Sequence, residues 1–66
     1  MEKETLKQRR ENLGLTQADF AETIGVTSTT ISRYETGLVT IPKWMELILE
    51  ALEARQIKKL QSLSGN

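Results

Sequence analysis

Residues 16–37 read TQADFAETIGVTSTTISRYETG and contain start and stop signals for two short helices. Thr16 stands before a helix-forming run, and its hydroxyl can accept a hydrogen bond from a first-turn backbone N–H, so it is the expected N-cap. Gly25 follows the last apolar position of this helix and supplies the left-handed conformation that ends it. Thr27 then repeats the start signal, and Gly37 repeats the stop. This segment therefore predicts two helices joined by a sharp turn, the outline of a helix-turn-helix.

These two helices divide their residues between an apolar face and a polar face. The apolar residues expected to face the core are Phe20, Ala21, Ile24, Val26, Ile31 and Tyr34. The polar residues on the opposite side of the second helix, which recur at helical spacing, are Ser28, Thr29, Ser32, Arg33 and Thr36. The polar face is therefore free to contact another molecule.

The segment that follows predicts a longer last helix over about 42–60, with Thr40 as its cap and Pro42 in its first turn. Residues 62–66 are expected to form a disordered tail. With a first helix before Thr16, the fold prediction is all-α: a small single-domain bundle of four to five helices over residues 1–61.

The last helix carries more apolar residues than one buried face needs. The residues expected to close the core are Ile41, Met45, Ile48, Leu49 and Leu52. Trp44 is either a lid on the core or part of an interface. The surplus at Leu47, Ala54, Ile57 and Leu60 predicts a weak homodimer through the helix 42–60.

Composition excludes several classes of protein. The chain has 66 residues with no cysteine and no histidine, so neither a disulfide nor a zinc finger can stabilise it, and we expect no metal and no cofactor. An enzyme is not expected either, because no serine has a plausible base beside it and no glycine-rich loop could hold a phosphate. No apolar run is long enough to span a membrane, and a cytoplasmic location is expected.

Charge is balanced, with nine Lys and Arg against nine Asp and Glu. The basic residues of the first, third and fourth helices include Lys3, Lys7, Arg9, Arg10, Arg33 and Lys43. The acids concentrate elsewhere, at Asp19, Glu22, Glu46, Glu50 and Glu53. This distribution predicts a basic face and a separate acidic face.

At fixed spacing, residues 6–54 carry a pattern that resembles the lambda-repressor-like, Cro/XRE-type DNA-binding domains. The matching residues are Leu6, Lys7, Arg10, Leu13, Gly14, Leu15, Thr16, Gln17, Ala21, Gly25, Val26, Ile31, Ser32, Glu35 and Gly37. The resemblance implies that the helix 28–36 is a recognition helix that enters the major groove of double-stranded DNA.

The resemblance also implies roles for individual residues. Those expected to face base edges are Thr27, Ser28, Thr29, Ser32 and Arg33, although ordinary solvated helix surface is an open alternative for the hydroxyl side chains. Thr36 and Lys43 would contact phosphate, and Gln17 would either contact phosphate or brace a side chain of the recognition helix. Arg33 would read a base or, alternatively, grip phosphate.

A structural ion pair between Arg10 and Glu35 is a further expectation from the resemblance. Arg10 shares one side of a first helix over about 2–13 with apolar residues, so its charge needs a partner. Arg9 departs from the family pattern, which usually has an apolar residue there. Its methylene groups could cover the core while its head reaches solvent or phosphate.

The functional hypothesis is a sequence-specific transcriptional regulator, a phage- or plasmid-type repressor that binds a palindromic operator as a dimer. The alternative is a protein-interaction module with the same fold, such as an antitoxin that binds a partner protein. The two activities are compatible.

Overall fold

In the computed structural model, the described part of the chain comprises the backbone of residues 1–64 and the side chains of residues 1–56. This part forms four helices, which are α1 (Lys3–Asn12), α2 (Gln17–Ile24), α3 (Ser28–Thr36) and α4 (Lys43–Ser64). The prediction of a small all-α bundle that contains a helix-turn-helix is confirmed.

Threonine caps start both helices of the helix-turn-helix, as predicted. The Thr16 hydroxyl accepts a hydrogen bond from the backbone N–H of Asp19 at 3.1 Å, and the Thr27 hydroxyl accepts one from that of Thr30 at 3.2 Å. Each bond satisfies one of the backbone donors that the first turn of a helix leaves without a partner.

Glycines end the same two helices. Gly25 has φ 81° and Gly37 has φ 82°, a left-handed conformation that most side chains adopt only with strain. At Gly37 space is limited as well, because a Cβ would come within 3.2 Å of Lys3 Cδ. The turn between α2 and α3 therefore depends on glycine backbone geometry.

One small core joins all four helices. Its fully buried apolar residues are Leu6, Phe20, Ala21, Ile31, Met45 and Leu49. Partly buried residues packed against this core are Leu13, Leu15, Ile24, Val26, Tyr34, Ile41 and Leu52. The predicted apolar face of the helix-turn-helix is therefore confirmed, and α1 and α4 close the core around it.

The bounds of α4 differ from the prediction. The helix begins at Lys43, and the carbonyl of Pro42 accepts a hydrogen bond from the N–H of Met45 at 3.1 Å. Pro42 therefore occupies the cap position, and Thr40 lies too far upstream to fill it. The helix continues to Ser64 because no strong helix breaker occurs before Gly65, so the predicted end at residue 60 is too early.

This extension takes α4 into part of the segment 62–66 that was expected to be a disordered tail. Gly65 and Asn66 lie outside the described residues, as do the side chains of Ile57 and Leu60. Trp44 keeps 41% of its surface exposed and does not belong to the core cluster. Trp44 is therefore not part of the buried core, and both alternatives for it, a lid on the core and a part of an interface, stay predictions.

Candidate nucleic-acid interface

The outward face of α3 is a continuous polar surface. Ile31 is fully buried on the opposite side and fixes which face of the helix points to solvent. The predicted contact residues Thr27, Ser28, Thr29, Arg33 and Thr36 are exposed. Ser32 is half-buried. The structure therefore brings these six side chains together along one helix.

Two of the hydroxyl groups on this surface are engaged within α3 itself. The Thr27 hydroxyl accepts from the N–H of Thr30 and forms a second hydrogen bond, of 3.0 Å, with the Thr30 hydroxyl. The Thr36 hydroxyl donates to the carbonyl oxygen of Arg33 at 3.3 Å. Both threonines therefore use their polar atom to complete a helix end.

The other three hydroxyls on this face differ from those two. Within the described residues, the hydroxyls of Ser28, Thr29 and Ser32 have no hydrogen-bond partner. A short hydroxyl on an exposed helix face can donate to or accept from another molecule. These groups are therefore available for an external contact.

Arg33 is the one long cationic side chain on the outward face of α3. Its guanidinium takes part in no ion pair with any other residue whose side chain is described. A guanidinium offers five N–H donors in a planar fork that matches two neighbouring acceptors. Arg33 can therefore form a bidentate contact without breaking an existing bond.

Gln17, the first residue of α2, contacts the end of α3. Its side-chain Nε2 donates to Glu35 Oε1 at 3.1 Å, and the residue is half-buried. Of the two alternatives from the sequence, the structure shows the bracing contact. Gln17 therefore links the first helix of the helix-turn-helix to the second.

Glu35 is the centre of a buried network that includes the Arg10 pair expected from the resemblance. Arg10 Nε donates to Glu35 Oε2 at 2.7 Å, and Arg10 Nη2 donates to Oε1 at 3.1 Å. The remaining terminal nitrogen of Arg10, Nη1, donates to the carbonyl of Leu15 at 2.7 Å. The two charged side chains are only 8% and 4% exposed. Their bonds join α1, the residues before α2 and the last turn of α3.

Opposing effects set the pKa of Glu35. Burial of the carboxyl favours its neutral form, but hydrogen bonds from Arg10 and Gln17 and the positive charges of Arg10 and Lys7 outweigh burial. The net result is that the pKa of Glu35 lies below its ordinary value. The carboxylate is therefore ionised at neutral pH.

The second ion pair of α1 is a contact that was not predicted from the sequence. Arg9 Nε donates to Glu53 Oε2 at 2.9 Å, Arg9 Nη2 donates to Glu53 Oε1 at 2.6 Å, and Glu46 lies 4.0 Å from Arg9. The hydrogen bond from Arg9 lowers the pKa of Glu53. The expectation that the Arg9 head reaches solvent or phosphate is therefore wrong in the free protein.

This pair also corrects the prediction of separate basic and acidic faces. The acidic edge of α4 lies against α1, where Glu46 and Glu53 meet Arg9. Two features of the sequence could have indicated this contact between Arg9 and α4. Arg9 replaces an apolar residue of the family pattern, and Glu46, Glu50 and Glu53 recur at a spacing that puts them on one side of a helix.

Lys43 is exposed at the first position of α4. A cation there gains nothing from the helix dipole, which favours positive charge at the opposite end. The same dipole favours anions at this end, and the first backbone N–H groups of a helix can bind them. The start of α4 is therefore suited to contact with an anionic group.

The described residues offer neither a metal site nor a membrane span. They contain no group of three or more acidic residues placed to hold a metal ion. None of the helices in this part of the protein combines the length and the apolar character needed to cross a bilayer.

Comparison with known proteins gives one match. A model of the helix-turn-helix family, of the Cro/C1 type, matches residues 6–43, which is more than half of the chain. The match includes α2 and α3 with both of their caps. No curated protein and no solved structure matches the chain significantly. This family consists of DNA-binding regulatory domains that are typically non-enzymatic, and the protein described here belongs to it.

Proposed function

We propose that the protein is a sequence-specific transcriptional regulator of the phage- or plasmid-repressor type, with α3 as the recognition helix in the major groove of double-stranded DNA. The observation that carries this proposal is the outward face of α3. There an exposed Arg33, which forms no ion pair with the described side chains, lies among available hydroxyls. The fold supports such a role because α3 is held from behind by Ile31 and by the Glu35 network. A rigid helix with a polar outer face is what base readout requires.

The residues on this face have different parts in the proposal. Arg33 reads the O6 and N7 acceptors of a guanine, the commonest specific contact of an arginine in the major groove. Ser28, Thr29 and Ser32 face neighbouring base edges and discriminate weakly, because a hydroxyl can donate or accept.

Phosphate contacts come from the ends of the helices. Thr36 lies at the end of α3 and Lys43 lies at the start of α4, where the first amide groups of that helix add donors to phosphate oxygens. Gln17 positions α3 through Glu35 rather than gripping phosphate directly. DNA binding also supports the expected cytoplasmic location.

Selection from random duplexes at moderate salt tests the proposal and yields the operator. Arg33→Ala is then expected to cost about 1–3 kcal/mol on the selected site and to relax preference at one base position in each half-site. Arg55→Ala removes an exposed arginine from α4 and serves as the matched control, with affinity unchanged.

Two results would contradict this proposal. If no motif is enriched, the regulator function fails. If Arg33→Ala weakens binding equally on all sequences, Arg33 grips phosphate and does not read a base.

Assembly as a homodimer is part of the proposal, since a two-fold symmetric regulator binds a palindromic operator. The support is an exposed apolar stripe on α4 formed by Trp44, Leu47, Ala51 and Ala54, with Leu47 64% exposed. These residues recur at intervals of three and four, the spacing of a helix-pairing seam. Sedimentation should show a weak dimer, and Leu47→Glu should abolish it. A monomer at high concentration together with an asymmetric single half-site would count against it.

A protein-interaction module of the antitoxin type is the second candidate. It is favoured by exposed apolar residues in the loop after α3, where Leu38 is 74% and Val39 43% exposed. Stoichiometric capture of one protein partner without any sequence-selective DNA binding would select this function.

A further inference from the structure

We propose that a cleft between the start of α1 and the loop after α3 binds a small organic cation, a protonated amine that carries an apolar body. The cleft has a volume of about 280 Å³, and the residues that line it include Glu2, Glu4, Tyr34, Val39 and Ile41. None of the residues proposed to contact DNA lines this cleft. The inference is therefore independent of the proposed function.

The inner wall of the cleft is apolar. Tyr34 and Ile41 are half-buried and pack against the core, whereas Met1 keeps 41% and Val39 keeps 43% of its surface exposed. Covering such apolar surface with the apolar part of a ligand is favourable, because it removes that surface from water. The π face of a tyrosine ring in addition attracts a positive charge. The cleft therefore suits an apolar ligand with a cationic group.

Two exposed carboxylates, those of Glu2 and Glu4, stand beside this apolar wall. Among the described side chains, neither carboxylate forms an ion pair with a lysine, an arginine or the terminal amine. The acids at the other junctions of α1 differ in this respect, because Glu35 and Glu53 are each paired with an arginine. The charge of Glu2 and Glu4 is therefore complementary to a cation supplied by a ligand.

Lys3 also lines the cleft, but its side chain lies against the end of α3. Its Cδ and Nζ atoms are 3.2 Å and 3.5 Å from the position that a Cβ would take at Gly37, the residue that ends this helix. The C-terminal end of a helix carries partial negative charge, which favours a cation there. Lys3 therefore forms a side wall of the cleft without pairing with Glu2 or Glu4.

The size of the cleft indicates the size of its occupant. Pockets for drug-sized molecules have volumes of about 300–1,000 Å³, so 280 Å³ fits a smaller molecule, such as a phenyl ring with a short alkylammonium chain. A protein partner would need about 800 Å² of surface on each side, far more than this cleft offers. The occupant is therefore a free small molecule.

Three compounds of similar size and different charge test this inference. Phenylethylammonium is the cationic probe, 2-phenylethanol its neutral counterpart and 3-phenylpropionate its anionic one. Each is titrated into the full 66-residue chain, and the backbone amide shifts in NMR spectra report both affinity and position. The cation should bind with a dissociation constant in the range of about 1 mM, as expected for about nine heavy atoms, and the anion most weakly. The shifts should be largest at Gly37, Val39, Thr40 and Ile41.

Glu2→Gln and Glu4→Gln remove the carboxylates one at a time. Each is expected to weaken binding of the cation about two- to fivefold, the range of an exposed ion pair, and to leave binding of 2-phenylethanol unchanged. Both residues are exposed, so the fold should be preserved, and the NMR spectrum of each variant verifies this. Glu22→Gln is the matched control, because it removes an exposed carboxylate from α2, outside the cleft, and should have no effect.

Four results would overturn the inference. Two of them are the lack of a saturable shift with phenylethylammonium at millimolar concentrations and equal affinity for the three compounds, which would mean that apolar surface alone selects the ligand. The third is a set of shifts confined to residues outside the cleft. The fourth is an unchanged affinity for the cation in the double variant of Glu2→Gln and Glu4→Gln. Failure to select any operator would leave this inference unaffected.

Discussion

Two adjacent arginines on α1 form ion pairs at opposite junctions of the molecule. Arg10 pairs with Glu35 at the junction with α3, where the two side chains are 8% and 4% exposed. Arg9 pairs with Glu53 at the junction with α4, where the corresponding values are 20% and 35%. Both pairs are bidentate, with similar distances. They differ in their access to water and in what surrounds them.

This difference in environment decides what each pair contributes. A buried charge is costly without its partner, so Arg10 and Glu35, the inner pair, depend on each other even if their net contribution to stability is small. Glu35 also accepts from Gln17, and Arg10 also donates to Leu15, so the unit extends to α2. Water and salt reach the half-buried pair of Arg9 and Glu53, the outer pair, so a partner left alone there stays in contact with water. Similar geometry therefore has different energetic consequences at the two junctions.

The largest expected effect is the loss of one member of the inner pair. Arg10→Met or Glu35→Leu alone should lower the free energy of unfolding by about 3–5 kcal/mol, because each leaves an uncompensated buried charge. The double variant should cost less than the sum, although Gln17 and the Leu15 carbonyl still lose a partner. Urea unfolding gives the free energy of unfolding of each protein in this double-mutant cycle. A stabilising osmolyte is added so that the destabilised single variants stay folded. Strictly additive losses would show that the two side chains are not coupled.

The two pairs also differ in how far the sequence could predict them. The caps and stops at Thr16, Gly25, Thr27 and Gly37 are local signals, and all four are confirmed. The Arg10 pair followed from the family pattern and not from spacing along the chain. Contacts between helices are tertiary features, which local patterns do not specify.

The outer pair illustrates this limit. Arg9 and Glu53 are 44 residues apart, and their contact depends on how α1 crosses α4. The end of α4 was misjudged for a related reason, since residues 61–64 have neither a strong stop signal nor a strong apolar pattern. The DNA-facing roles of the α3 residues depend on a partner and stay predictions.

Lowering the pH should weaken both ion pairs and so lower the free energy of unfolding. The pKa of Glu35 and that of Glu53 are both lowered in the folded state from their ordinary value of 4.5. A carboxylate with a lowered pKa contributes stability above the ordinary value, and this contribution is lost as pH falls through the lowered value. The free energy of unfolding should therefore begin to fall near pH 4.5 and decrease further towards more acidic solution.

The contribution of each pair can be separated in the same measurement. Glu53→Gln removes the outer carboxylate. In acid this variant should still lose most of the free energy of unfolding that the unchanged protein loses, because the buried Glu35 is screened least. Circular dichroism during urea unfolding between pH 7 and pH 3 gives the profile. A stability that is independent of pH in this range would contradict the assignment of both pairs.

Disruption of the outer pair should have a smaller effect on stability. Arg9→Leu and Glu53→Gln are each expected to change the free energy of unfolding by no more than about 1 kcal/mol, the range of solvent-accessible ion pairs. The effect of Glu53→Gln should shrink further in 1 M salt, where the Debye length is about 3 Å. A loss above about 2 kcal/mol would mean that the outer pair behaves like the buried one.

The smallest expected effect is that of Arg9 on the salt dependence of DNA binding. The salt dependence of the affinity for DNA reflects the number of cations that contact phosphate, because each contact releases counterions. Arg9 is already neutralised by Glu53 at 2.6 Å, with Glu46 nearby. With few free cations, the slope of log affinity against log salt is expected to be about −3 to −5 per monomer. Arg9→Leu should leave this slope unchanged, whereas Lys43→Ala should reduce its magnitude by about one. If Arg9→Leu reduces the slope as much as Lys43→Ala does, Arg9 exchanges Glu53 for a phosphate when DNA binds, and the outer junction is part of the DNA interface.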